Sequence, residues 1–138
     1  MITSNHNQNS PQKLPPIIEQ TKKCYKIWLA ILRNFPKIER FGIGAKIDQY
    51  FLKLLEILRL ASFSSIEEKI RLLSSALKII DAIRFFLQLC FESRLISAKG
   101  YSVIGTLIEN IGKETNGWKK YLETKTSRRD LHWQEEKK

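Results

Sequence analysis

The sequence has little with which to do chemistry. Its two histidines, His6 and His132, lie near opposite ends of the chain, and its two cysteines are Cys24 and Cys90. No Cys or His cluster has the spacing of a zinc site. No GxxxxGK[ST] or GxGxxG loop is present, and the FGIG run from Phe41 to Gly44 does not follow a strand, so a phosphate-cradling loop is excluded. Asp48 and Glu56 sit eight apart on the polar side of one predicted helix, which suits solvation rather than an acid and base pair. The reading is non-enzymatic: no catalytic residue, no metal and no cofactor. Long uncharged apolar runs are also missing. Lys78, Asp81 and Arg84 interrupt the greasiest helix, and no basic segment followed by an apolar stretch opens the chain, so the expectation is a soluble, cytoplasmic protein with no membrane partner. Each cysteine falls on the apolar side of its helix and reads as a small core residue in a reducing compartment.

What is present is helical periodicity. An apolar content of 43% in 138 residues excludes a wholly disordered chain and supplies one domain's worth of core. Residues 1–14 are rich in Asn, Gln and Ser and predict a disordered tail. Pro15 and Pro16 mark a helix entry, after which Ile17, Ile18, Thr21, Cys24, Tyr25, Trp28, Leu29, Leu32 and Phe35 recur at helical spacing. A second helix should restart at about Pro36 and carry Ile43, Ile47, Tyr50, Phe51, Leu54, Leu58 and Ala61 on one face. Ser64 with Glu67 and Ser65 with Glu68 both fit a capping box ahead of a third helix from about Ile66 to Arg94. Ser97 can cap a fourth, running to about Glu123. Gly105 and Gly112, two turns apart in it, each cost about 1 kcal/mol of helix propensity, which predicts a close approach by a neighbouring helix. Beyond Thr124 the sequence is charged and loses its period. The predicted fold is all-α, an antiparallel up-and-down four-helix bundle over residues 15–123 with a charged flexible tail at 124–138.

Charge and surplus apolar surface narrow the function. With 24 Lys and Arg against 14 Asp and Glu the formal charge is +10, which points to an acidic partner: RNA, DNA, an anionic membrane face or an acidic protein. On the first helix Lys22, Lys26 and Arg33 align in a narrow arc with Lys23 on one flank and only Glu19 as an acidic neighbour. Such a strip is either a solvated face or a phosphate-facing one. Arg40 projects onto the predicted apolar face of the second helix, either snorkelling to water or held in a groove as an anchor for phosphate or carboxylate. Arg84 repeats the anomaly on the third helix, where Asp81 is in reach to pair with it. That helix also has a second apolar stripe, Ala82, Phe85 and Leu89, which with Leu52 predicts an interface between copies of the chain. In the last segment Arg128, Arg129 and Trp133 offer charge and stacking to a nucleic acid.

The segment FPKIERFGIGAKI resembles a signature of the accessory variability proteins of diversity-generating retroelements: FPK, two residues, RF, then Gly and a basic residue before Ile. LPPIIEQTKKCYKIW, IRFFLQL, ISAKGY and IGKETNGWKKYL follow the same family's order, so the resemblance covers about Leu14 to Leu122. It implies a non-enzymatic protein that assembles as a homopentameric barrel and binds the element's reverse transcriptase and template RNA during error-prone copying. The family's basic positions match Lys37, Arg40, Lys46 and Arg84, while a further basic position is Gln88 here. The four-helix proteins encoded in intervening sequences of bacterial 23S ribosomal RNA genes are a related branch, ranked second because their SNIAEG-like motif is missing.

Overall fold

The computed structural model describes residues 15–137; the predicted tail at 1–14 lies outside the described residues. Helix α1 spans Pro16–Leu32, with a proline in its first turn, where a missing N–H leaves no bond unmade. It buries Ile17, Ile18, Thr21, Cys24 and Trp28, and the Thr21 hydroxyl, sealed from water, donates to the Ile17 carbonyl at 2.7 Å. Phe35 follows the helix into the core and meets Trp28 edge to face at 5.7 Å.

The second predicted helix is two. A five-residue helix α2, Lys37–Phe41, is followed by a break at Gly42 (φ −100°, ψ −106°) and by α3, Ile43–Ser62. Packing at the foot of α1 accompanies that break. A Cβ placed on Gly44 would stand 2.6 Å from Leu32 Cδ1 and 3.0 Å from the Glu39 carbonyl, so the start of α3 is pressed against the end of α1 and the backbone of α2. Because the helical phase is interrupted, the period that buries Ile47, Phe51, Leu54, Leu58 and Ala61 does not carry back to Arg40. Arg40 is exposed, not on the apolar face, and its guanidinium donates to the Phe35 carbonyl at 3.4 Å.

Helix α4 covers Ile66–Glu92, and the Ser65 hydroxyl accepts from the Glu68 amide at 3.3 Å. Of the two capping boxes the second is used, and only its serine half: the Glu68 carboxylate turns to Arg71, while the Ser64 hydroxyl donates to the Leu60 carbonyl. The helix ends two residues before the expected Arg94. Arg94 takes the left-handed conformation (φ 61°), its amide bonding the Phe91 carbonyl at 3.0 Å and that of Leu95 the Cys90 carbonyl at 2.8 Å. These two bonds form a Schellman closure with arginine where glycine is the usual choice.

Helix α5, Ala98–Lys137, opens with the Ser97 hydroxyl accepting from the Gly100 amide at 3.0 Å. It buries Ile104, Ile108, Ile111, Thr115 and Leu122. It does not stop near Glu123. The segment expected as a charged flexible tail is helical to Lys137, contains no Gly or Pro, and makes an ion pair between Arg129 and Glu67 at 2.6 Å. Its 40 residues give about 60 Å of helix against about 40 Å for the 27 of α4, so its last turns overhang the bundle.

Helix α1 packs on α3 and α5, and α4 packs on the same two, leaving α1 and α4 diagonal. The cross-pairs Phe91 with Tyr101, Arg84 with Glu109 and Glu67 with Arg129 run in opposite order along α4 and α5, which makes the pair antiparallel. The result is a four-helix bundle. Both cysteines are free and buried, and burial pushes the thiol of Cys24 up to about 12 and that of Cys90 up to about 11, so neither ionises near neutral pH. Among the described residues no helix is long and apolar enough to cross a membrane.

Candidate nucleic-acid interface

The cations predicted from sequence fall into three places. On α1 and at its C-terminal cap, Lys22, Lys26 and Arg33 are exposed, with Lys22 tied to Glu19 at 2.8 Å and Lys23 on the flank that faces α5. At the foot of the bundle, Lys37 and Arg40 are exposed on α2, next in the chain after Arg33. Lys46, on the second turn of α3, lies over the Tyr50 ring at 5.0 Å, a cation–π contact that holds the ammonium on the surface. The strip on α1 and the pair on α2 are consecutive in the chain.

Arg84 is elsewhere. It sits on α4, diagonal to α1, and its guanidinium bonds Asp81 at 2.8 Å and Glu109 of α5 at 3.3 Å. Its side chain is 37% exposed and that of Asp81 71%, so the Asp81 pair is no dry ion pair and contributes at most about 1 kcal/mol. Two carboxylates already engage this arginine, and its Nε is buried without a partner among the described residues.

Gly112 leaves room for the guanidinium against α5. A Cβ there would stand 2.6 Å from Nη2 of Arg84 and 3.5 Å from Cγ2 of Ile80. The close approach predicted for both helix-four glycines therefore holds for Gly112 alone; a Cβ on Gly105 would meet nothing within 4 Å.

Of the four residues predicted for an interface between copies, Leu52, Phe85 and Leu89 are exposed large apolar side chains, and Ala82 is half-buried. Phe85 stands edge to face with Phe86, which stacks on Tyr50, so a run of rings bridges α3 and α4. Ile38 and Phe41, at 81% and 74% exposure, are bare apolar residues with no assigned role in the sequence reading. The signal was available: both fall off the period that runs from Ile43 to Ala61.

Asp48 departs from its expected place as a solvated residue. It is half-buried, with its Oδ1 sealed from water and unpaired among the described residues, and burial first and this carboxylate second push the Tyr25 phenol up to about 12. Among the described residues no group of three or more His, Cys, Asp or Glu is placed to hold a metal ion.

This is a helical-bundle protein with a cationic face and an apolar face that the described residues leave uncovered. The profile of the bAvd-like family matches residues 16–122, and the chain belongs to that family, accessory proteins of the diversity-generating retroelement kind. The match ends at Leu122, the last buried residue of the core. No curated protein and no solved structure matches the chain.

Proposed function

We propose that this protein binds the reverse transcriptase and the template RNA of a diversity-generating retroelement and supports mutagenic copying without catalysis of its own. Membership of the bAvd-like family across the whole bundle carries the reading. The RNA half is further supported by the exposed strip of Lys22, Lys26 and Arg33, extended by Lys37 and Arg40, on a chain of charge +10. The uncovered Leu52, Phe85 and Leu89 support self-association, for which a cytoplasmic homopentameric barrel is the form proposed.

A salt titration of RNA binding tests it. Several phosphate contacts predict a slope of log affinity against log salt of about −3 or steeper. Reversing charge at Lys22, Lys26 and Arg33 together should weaken binding and leave the circular dichroism spectrum intact. A chain that ignores RNA at low ionic strength would refute the proposal.

A further inference from the structure

Two adjoining recesses run along the seam between α1 and α5. The first, of about 350 Å³, is lined by Gln20 and Lys23 from α1 and by Asn110, Ile111, Lys113 and Glu114 from α5. The second, of about 270 Å³, is walled by Pro15, Pro16, Ile17 and Trp118, and shares Glu114 with the first. Both sit near the lower edge of the ~300–1,000 Å³ usual for small-ligand pockets, which is room for a nucleotide and too little for a duplex.

The chemistry is divided along the seam. Lys23 and Lys113 lie on opposite walls over the buried side chain of Ile111, and among the described residues no ion pair engages either ammonium. Their charge is thus available to a phosphate. Gln20 and Asn110 add amides that both donate and accept. Trp118 is half-buried and lines the second recess, where an aromatic face suits stacking by an unpaired base. Glu114, at the junction, repels phosphate and accepts from the exocyclic amine of a base. It therefore biases the backbone toward the lysines and a base toward the tryptophan. Paired bases have no free face to offer Trp118, and a flat cationic surface would have no need of these recesses.

We propose that the α1/α5 seam is a binding site for single-stranded RNA, with a backbone phosphate between Lys23 and Lys113 and an adjacent base laid on Trp118. It rests on the RNA-binding reading above and adds strandedness and a surface distinct from the outward strip of Lys22, Lys26 and Arg33.

The test is fluorescence anisotropy of the full chain with a labelled single-stranded RNA of about ten nucleotides and with its duplex, over a salt series. The single strand should bind at least about tenfold tighter than the duplex. Lys23→Ala with Lys113→Ala should flatten the salt slope by about 0.7 to 1.4, the loss of one or two single-strand phosphate contacts. Trp118→Leu should weaken binding about tenfold and Trp118→Phe far less, the phenylalanine variant guarding against a loss of fold. Equal affinity for duplex, or wild-type affinity in the lysine double variant, overturns the seam site. If the Lys22, Lys26 and Arg33 reversal alone abolishes binding, the seam fails and the proposed function survives; if neither form of RNA binds the wild type, both fail.

Discussion

The α5 backbone at Gly112 lies so close to Arg84 that a Cβ at this position would stand 2.6 Å from Nη2 of the guanidinium. The obstructing atom is the far end of a flexible side chain. Gly112→Ala should therefore swing Arg84 away from Glu109 and leave stability within about 1 kcal/mol of wild type, as the helix-propensity gain offsets a weak ion pair. A structure of the variant shows the first effect and urea unfolding measures the second. A loss well beyond that range would show the guanidinium to be locked in place.

Gly44 makes the opposite case. Its missing Cβ is opposed by Leu32 Cδ1 at 2.6 Å, the Glu39 carbonyl at 3.0 Å and Phe35 Cδ2 at 3.4 Å, and the backbone oxygen has no freedom to withdraw. Gly44→Ala should destabilise by about 1–3 kcal/mol, the usual cost of overpacking, in the same urea experiment.

Arg94 holds the left-handed position that closes α4. A side chain there costs about 1–2 kcal/mol relative to glycine. Arg94→Gly should raise unfolding free energy by about 1 kcal/mol after the entropy of a freer unfolded chain is allowed for. A destabilised variant would reveal a contact made by the arginine itself.

The overhanging end of α5 is tied to α4 through Arg129 and Glu67. Glu67 is held below the ordinary carboxylate range, first by its own backbone amide and then by Arg129. A carboxyl with a lowered folded value stabilises above the unfolded value, near 4.3, and gives that up as pH falls through the lower one. Acid should accordingly free the end of α5 before the core opens, seen as faster amide exchange confined to residues 124–137. In Arg129→Ala the Glu67 titration, followed by NMR, should rise only part of the way, because the backbone amide remains.

Phe85 and Leu89 are bare on α4. Phe85→Asp with Leu89→Asp should leave the helical spectrum unchanged and convert an assembly to protomers in light scattering. An unaltered mass would move the contact between copies to another surface.

The local part of this design was legible from residue order. The 3.6-residue period identifies the buried faces of α1, α3 and α4, and Ser65 and Ser97 announce helix starts, because periodicity and capping involve neighbours within a turn or two. The family blocks from Leu14 to Leu122 were readable for the same reason. The periodicity misplaces Arg40 because the break at Gly42 is accompanied by close packing of Gly44 on Leu32, twelve residues back on another helix. The run past Glu123 looked like a tail because its period fades; its tie to the fold is Glu67, 62 residues away.

Residue order alone determined a basic chain of four amphipathic helices, with apolar residues left over after each core face was counted. Only the tertiary structure decided that Arg84, beyond its local pair with Asp81, meets Glu109 of another helix, and that Lys23, Lys113 and Trp118 share one seam. The reason is geometric. A helix's own repeat says which side of it is apolar, whereas which two polar sides meet depends on the diagonal and antiparallel arrangement of helices that have no local code for one another.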